Sequence, residues 1–321
     1  MVGDHNTFPL LVLTGPSTGV DTLLTTDITQ SSAMQRAGRA GREGPGLCFR
    51  LYSEDAFNSM VVSAEPEVQR TSLTSAFLQL KVIGQDLDTM PFMDKPDQES
   101  SMFQSYKPET PFDNAQLVGS ALRALWLLDA IDNSRCLTDF GRSLAMFPLE
   151  PHHAAAILAS VKHNCTAEVM SVIALLSSSS PLFPDSSSQR DVANEARKKF
   201  HHSSGDHWTI LNVFRAYDEV CTSEGKSGRK DWCKRNFVNQ RALREAENIR
   251  KQLRGICERI GIDWSLSSGN EENPLLRSLL RGLLQHVALL QPDGTYKPVM
   301  GPLVCLLMFS RRKRLTSLKD N

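Results

Sequence analysis

Apolar and polar residues follow two different periods along this chain. Residues 20–52 show the order strand, loop, helix and strand, with strands predicted at 21–26 and 47–52 and a helix start at Ser31 or Ser32. From about residue 65 onward, apolar residues recur every three or four positions, as on the buried face of an amphipathic helix. This spacing predicts helices at 71–81, 117–128, 151–161, 166–176, 191–200, 208–217 and 239–260.

The predicted fold class is therefore a mixed α/β start followed by a mainly α-helical bundle. Serine and proline at 100–114 and 177–188 predict surface loops between the helices. Trp208 and Trp232 lie within the helical part, where an aromatic ring has two interpretations. One is packing in the core, and the other is stacking on nucleic-acid bases.

Composition narrows the functional classes. The chain has 321 residues, of which 40% are hydrophobic, which is enough for two or three small domains. Its 36 basic and 36 acidic residues leave no net charge, so any affinity for nucleic acid must come from local basic surfaces. Seven cysteines without paired short spacing predict buried thiols in a reducing compartment. The apolar run at 8–14 is shorter than the about 20 residues that span a bilayer, so we expect no membrane role.

The most specific pattern is the octamer Gln-Arg-Ala-Gly-Arg-Ala-Gly-Arg, which begins at Gln35. At about 100° per residue in a helix, Arg39 lies about 40° to one side of Gln35 and Arg42 about 20° to the other side. Converging guanidinium groups can neutralise a transferring phosphoryl group. Gly38 and Gly41 cost about 1 kcal/mol each inside a helix, which indicates close approach of a backbone or ligand. The alternative interpretation is a solvated basic helix.

This octamer and the segment 43–52 that follows it resemble the final helicase motif of the DEAH-box RNA helicases. The resemblance implies an ATP-dependent RNA helicase, in which RNA-stimulated ATP hydrolysis drives RNA unwinding or remodelling of ribonucleoproteins. It also implies ATP and Mg²⁺ as cofactors. Arg39 and Arg42 are then arginine fingers, Gln35 orients water or the terminal phosphate, and Gly38 lies beside them at the nucleotide.

Further segments resemble the same family in the expected order, namely 18–24, 28–33, 66–73, 92–96, 137–141, 147–151, 205–212, 231–233 and 236–239. The resemblance implies a partial second RecA-like lobe at 17–65, a winged-helix domain at 66–148 and a helical ratchet domain at 149–273. A truncated oligonucleotide-binding (OB) fold with a basic tail is implied at 274–321, with a first hairpin at 291–296. Residues 1–16 do not resemble the family, and their interpretations are one apolar strand or an unrelated, disordered start.

The resemblance also implies partners and a location. These are single-stranded RNA or a ribonucleoprotein, an activator of the glycine-patch type on the winged-helix surface, and a nuclear site. Residues 197–207 resemble the nucleolar branch of the family. The Arg-Arg-Lys-Arg run at 311–314 is interpreted as a nuclear signal or as an accidental tail.

The 239–260 helix carries a basic strip made of Arg241, Arg244, Arg250, Lys251, Arg254 and Arg259, mixed with glutamates. A solvated, ion-paired face is one interpretation. Because the resemblance implies that the ratchet domain lies beside the RNA path, contact with backbone phosphates is the other.

Two expected helicase motifs do not occur in this sequence. There is no Asp-Glu-Ala-His box, and the Gly-Lys-Ser run at 225–227 has Val220 where a Walker A loop needs glycine, so we predict a charged loop there. We therefore expect the chain as written to be a C-terminal fragment, isoform or gene-model product that does not hydrolyse ATP alone. The alternative function is a non-catalytic module that binds RNA or protein through its winged-helix and ratchet parts.

Overall fold

A computed structural model describes residues 2–4, 10–14, 21–25, 27–64, 66, 68, 72–86, 90–91, 117–184, 189–223, 225–292 and 296–299. These residues are mainly helical, and the chain consists of two compact units. The predicted loop at 100–114, the segment 92–96 and the basic tail at 311–314 lie outside the described residues. Among the described helices, none has the length and apolar character needed to cross a membrane.

The first unit consists of Met1–Ala124 and Ala288–Asn321. Its elements are β1 (Val2–Asp4), β2 (Leu10–Thr14), β3 (Asp21–Thr25), α1 (Gln30–Gly38), β4 (Cys48–Arg50), α2 (Glu54–Ser59), α3 (Thr74–Val82), most of α4 (Leu117–Leu127), β5 (Ala288–Leu290) and β6 (Tyr296–Pro298). α3 buries Leu73 at its N-cap and Phe77 and Leu78 within it, while Leu73 also packs against Ala121 of α4. The apolar periodicity therefore locates this helix correctly.

The strands of the first unit form three separate pairs in the described residues. β1 is parallel to β4, with Val2 opposite Cys48. β2 and β3 are antiparallel, with Leu10 opposite Thr25, so the strand before the motif helix is not in a parallel pair as expected. β5 and β6 are also antiparallel and flank the predicted hairpin. Strand positions follow from local pattern, whereas the choice of partner depends on the rest of the fold.

The second unit, Leu125–Val287, is a helical bundle. Its helices after α4 are α5 (Asp139–Ala145), α6 (Pro151–Lys162), α7 (Thr166–Leu176), α8 (Arg190–Arg197), α9 (Asp206–Ser223), α10 (Gly225–Arg235), α11 (Gln240–Arg259) and α12 (Glu272–Gly282). α7 lies at the centre, in contact with α6, α9, α11 and α12. Its residues 168–175 are all buried, as expected of a helix surrounded by others.

Large aromatic side chains fill the rest of this core. Trp208 is 1% exposed and Trp232 is 8% exposed. The Trp232 ring lies 5.7 Å from that of Phe200 and 6.0 Å from that of Tyr217, measured between centroids. The packing interpretation of both tryptophans is confirmed, and neither ring is available to stack on a base.

The buried carboxylate of Glu168 holds the loop at residues 267–269 against the bundle. Glu168 of α7 is 4% exposed and accepts hydrogen bonds from Arg215 Nη2 at 3.0 Å, Ser267 Oγ at 2.6 Å and the Ser268 amide at 3.3 Å. Arg215 also donates to the Gly269 carbonyl at 2.7 Å. Because the buried charge is paired and hydrogen-bonded, its desolvation is compensated.

The segment 137–141 has a structural explanation in the turn before α5. The Thr138 hydroxyl accepts from the Gly141 amide at 2.9 Å and thereby caps the helix, and it donates to the Asp129 carbonyl at 2.6 Å. A Cβ atom on Gly141 would collide with the carbonyl oxygen of Ala130. Only glycine lets these two backbone segments approach so closely.

α6 and α12 make a second close backbone contact. A Cβ atom on Gly282 would collide with the carbonyl oxygen of His152 at the start of α6, and Ser278 Oγ lies 3.3 Å from the Sγ of Cys165, three residues after the end of α6. Since residue numbers rise along α12 as their neighbours fall along α6, the two helices are antiparallel.

Helix boundaries show where local signals succeeded or failed. Asn239 caps α11 by accepting from the Arg241 amide at 3.0 Å, as the start of the predicted helix requires. The predicted caps Ser31 and Ser32 are wrong, because Thr29 caps α1. The charged loop predicted at 225–227 is also wrong, since α10 begins at Gly225. An isolated glycine near a helix start is a weak breaker, and the apolar packing of Trp232 overrides it.

The cysteine prediction is only partly correct. Cys165, Cys233 and Cys257 are buried, and burial raises the pKa of the Cys233 and Cys257 thiols to about 11. Cys136 is exposed, because its amide donates to Asp132 Oδ1 at 2.8 Å in the turn after α4. This turn keeps the residue at the surface.

Candidate functional site

The motif helix α1 is fixed at its amino end. Thr29 Oγ1 accepts from the Ser32 amide at 3.2 Å. The amides of Gln30 and Ser31 donate to the carbonyls of Val61 and Val62 at 2.9 and 3.0 Å. These bonds satisfy amides that a helix start leaves without partners. The helix therefore enters the motif in a fixed direction.

One side of α1 is buried and the motif side is open. Ile28 and Ala33 are 1% and 0% exposed and anchor the helix to the first unit. Gln35, Arg39 and Arg42 are exposed. Within the described residues, none of their side chains makes a hydrogen bond or an ion pair. Side chains with this much polar capacity and no partner remain available to a ligand.

The helix tightens where the arginines begin. α1 ends at Gly38, and Arg39–Gly41 forms a 3-10 turn. The right-handed helical backbone continues to Arg42, with φ −73° and ψ −42°. In a 3-10 turn, residues i and i+3 eclipse one another, so a backbone of this kind turns Arg42 towards the side of Arg39. The shared face of Gln35, Arg39 and Arg42 stays a prediction.

The motif glycines face open space. Among the described residues, no atom beyond the local backbone lies within 4 Å of a Cβ atom placed on Gly38 or Gly41. The close approach that these glycines indicate is therefore not made by this part of the chain itself. Gly46 makes it instead, since a Cβ atom there would collide with the carbonyl oxygen of Ala40. The turn after the motif packs back on the helix end.

Sequence reasoning did not identify Arg50 as a support of the motif. Its guanidinium carbon lies 4.2 Å from the centroid of the Phe57 ring, and its Nη2 lies 3.3 Å from Met34 Sδ on α1. Arg50 therefore links β4 and α2 to the motif helix. Its position next to Phe49, the aromatic residue of β4, carries no signal of this contact.

Comparison with known proteins identifies the region. Residues 121–149 match the family model described as helicase associated domain (HA2), winged-helix, and residues 150–210 match helicase associated domain (HA2), ratchet-like. The chain is 38% identical over 282 residues to ATP-dependent RNA helicase DHX33 of Homo sapiens and 37% identical over the same length to that of Mus musculus. It is 35% identical over 288 residues to Pre-mRNA-splicing factor ATP-dependent RNA helicase prp22 of Schizosaccharomyces pombe.

The chain belongs to the DEAH-box RNA helicase family. It corresponds to the C-terminal region of these helicases, which contains the winged-helix and ratchet domains. The matches cover 88% of the chain but 37% of each DHX33 sequence, and 89% of the chain but 22% of prp22. The chain thus spans well under half the length of these helicases.

The basic strip on α11 has two parts, one whose side chains make contacts within the bundle and one whose side chains are exposed. Arg250 forms a two-pronged ion pair with Asp218 at 2.7 and 3.0 Å, and the Arg254 guanidinium carbon lies 4.4 Å from the Trp264 ring centroid. These side chains are engaged within the bundle. Arg241, Arg244, Lys251 and Arg259 are exposed.

The chemistry of the motif suits phosphate. Exposed guanidinium groups beside glycines with open space can donate to the oxygens of a phosphate chain. For the metal, the described residues contain no group of His, Cys, Asp or Glu that could hold an ion. We therefore derive no step that involves Mg²⁺ from these residues.

Proposed function

We propose that an intact protein containing this region is an ATP-dependent RNA helicase, and that Gln35, Arg39 and Arg42 face the nucleotide phosphates. The observation that supports the proposal is that these three side chains are exposed and have no partner in the described part of the chain. The matched relatives are named as ATP-dependent RNA helicases, which supports the same assignment.

The geometry suggests how the roles divide. Bound ATP supplies the phosphoryl group that is transferred to water. Arg42 is turned towards the side of Arg39, so both guanidinium forks can donate to neighbouring phosphate oxygens as negative charge shifts during transfer. Gln35 lies about one turn earlier and offers an amide that can orient water or hold the terminal phosphate. Gly38 leaves space for that approach.

The helical unit has a binding role in this proposal. Exposed Arg241, Arg244 and Lys251 on α11 are placed to contact RNA phosphates without reading sequence. Exposed Trp126 and Met146, at 39% and 54%, offer apolar area for an activator of the glycine-patch type. A nuclear or nucleolar location stays a prediction from sequence.

A chimera tests the catalytic assignment. The matched 282 residues of human DHX33 are replaced by those of this chain, and RNA-stimulated ATP hydrolysis is measured with and without Arg42→Ala. Loss of an arginine finger lowers turnover by roughly 10³-fold, while affinity for a labelled single-stranded RNA stays within about twofold. Equal turnover in the two chimeras would rule out the role of Arg42.

The alternative, a non-catalytic binding module, has its own test. The 321-residue chain alone is assayed for ATP hydrolysis and RNA binding. We expect RNA binding that weakens with salt and no hydrolysis above background, because metal and general base come from elsewhere in a helicase. Hydrolysis that copurifies with the chain and disappears with Arg39→Ala would contradict this expectation.

A further inference from the structure

A surface groove runs between α6 and α12 in the second unit, with one residue of α5 at its edge. Its volume is about 610 Å³. The floor is aliphatic and is formed by Leu158 and Ala159 of α6 with Leu280 and Leu284, at the end of α12 and just beyond it. Leu280 is 48% exposed, so the groove is open to solvent.

Two cations lie together at one end of this groove. Lys162 is one turn after Leu158 on α6, and Arg277 is one turn before Leu280 on α12. Because α6 and α12 are antiparallel, these two positions come to the same end. Both side chains are exposed, and neither has an ion pair within the described residues.

A third cation has a structural task and does not add to this charge. Arg281 forms an ion pair with Asp129 and donates to the carbonyls of Leu127 and Leu128, both at 3.3 Å. It also lies over the Phe140 ring, at 5.8 Å from its centroid. The free positive charge therefore belongs to Lys162 and Arg277.

The floor suits protein side chains better than nucleobases. Single-stranded nucleic acid binds through aromatic platforms, whereas the described lining has two rings, Phe140 with Arg281 at 5.8 Å from its centroid and the imidazole of His163, beside four aliphatic side chains. An aliphatic strip along two helices is the form that accepts the apolar face of a third helix. The charge at one end selects for carboxylates on that helix.

We propose that the α6–α12 groove binds an acidic amphipathic helix of a partner protein. Leucine-type side chains of that helix, spaced i, i+3, i+4 and i+7, lie on Leu158, Leu280 and Leu284. Its carboxylates pair with Lys162 and Arg277. This inference goes beyond the proposed helicase function and does not depend on the nucleotide motif.

The test uses the 321-residue chain and a fluorescent helical peptide with leucines at i, i+3, i+4 and i+7 and glutamates at one end. Fluorescence anisotropy measures its affinity for the unaltered chain and for Arg277→Glu and Leu280→Glu. Each substitution should weaken binding by at least about tenfold. The matched controls, Lys234→Glu on α10 and Val192→Glu on α8, change an exposed cation and an exposed aliphatic residue elsewhere and should leave the peptide affinity unchanged.

Three outcomes would overturn the proposal. The first is no binding of the peptide to a chain whose circular dichroism shows the expected helix content. The second is equal loss of affinity in the control variants. The third is that Arg277→Glu and Leu280→Glu weaken binding of a single-stranded RNA while the peptide is unaffected. A peptide with lysines in place of the glutamates should bind more weakly to the unaltered chain.

Discussion

The α7-centred bundle and the α1 motif use polar residues in opposite ways. In the bundle, the Glu168 carboxylate is buried and every interaction it makes holds neighbouring elements together. In the motif, Gln35, Arg39 and Arg42 are exposed and unpaired within the described residues. The first pattern stabilises a fold, and the second leaves binding capacity for a ligand. The comparison predicts that substitutions in the two regions separate stability from activity.

The largest loss of stability should come from the aromatic core. Trp208→Ala removes a side chain that is 1% exposed and should lower the free energy of unfolding by about 4 kcal/mol. Urea denaturation followed by circular dichroism measures it. Trp126→Ala is the control, because Trp126 is 39% exposed and should cost much less. Equal losses would show that the bundle is not packed as described.

The next largest effect tests the buried carboxylate. Glu168→Ala leaves Arg215, Ser267 and Ser268 without their acceptor and should lower the free energy of unfolding by about 3 kcal/mol. Glu195→Ala breaks an exposed ion pair with Lys198 and should change it by less than about 1 kcal/mol. If Glu168→Ala and Glu195→Ala lowered the free energy of unfolding equally in the same urea titration, the conclusion that these hydrogen bonds compensate the burial of Glu168 would be wrong.

An effect that is smaller for each residue depends on pH. Burial, with the charges of neighbouring histidines, lowers the pKa of His152 to about 3 and that of His153 to about 4, from 6.5 in the unfolded chain. The unfolded chain therefore binds more protons below pH 6.5, so stability falls as pH falls towards 4. Between about pH 7 and pH 5 the loss should be roughly 2 kcal/mol for each of the two histidines.

The control for this pH dependence is the double variant His152→Asn, His153→Asn. Its free energy of unfolding should vary less with pH over the same range, because the two groups that resist protonation are gone. An unchanged slope would assign the pH dependence to other groups.

Local sequence signals were sufficient to predict an element where a single residue or a local period fixes its position. Asn239 marks the start of α11, and the 3.6-residue period locates α3 around Phe77. They were insufficient where the outcome depends on distant residues. The antiparallel pairing of β3 with β2 and the helical start of α10 at Gly225 depend on packing that no local pattern contains.

The candidate site divides in the same way. The spacing of Gln35, Arg39 and Arg42 predicted one shared face; the structure shows all three exposed, and the shared face stays a prediction. The 3-10 turn at Arg39–Gly41 was not predictable, because the geometry of a final helical turn depends on the turn at Gly46 packing against Ala40. The support from Arg50 is a tertiary contact and has no signature in sequence.

The most direct test of the central claim measures turnover per folded molecule. The DHX33 chimera is compared with its Arg39→Ala variant and with Lys234→Ala, which changes an exposed cation of α10, with thermal unfolding recorded for each. We predict that Arg39→Ala lowers RNA-stimulated ATP hydrolysis by roughly 10³-fold at an unchanged melting temperature, whereas Lys234→Ala does not. Two results would contradict the claim that the motif side chains bind a ligand and do not stabilise the fold. One is turnover of Arg39→Ala equal to that of the unaltered chimera, and the other is a lower melting temperature that accounts for the loss of turnover.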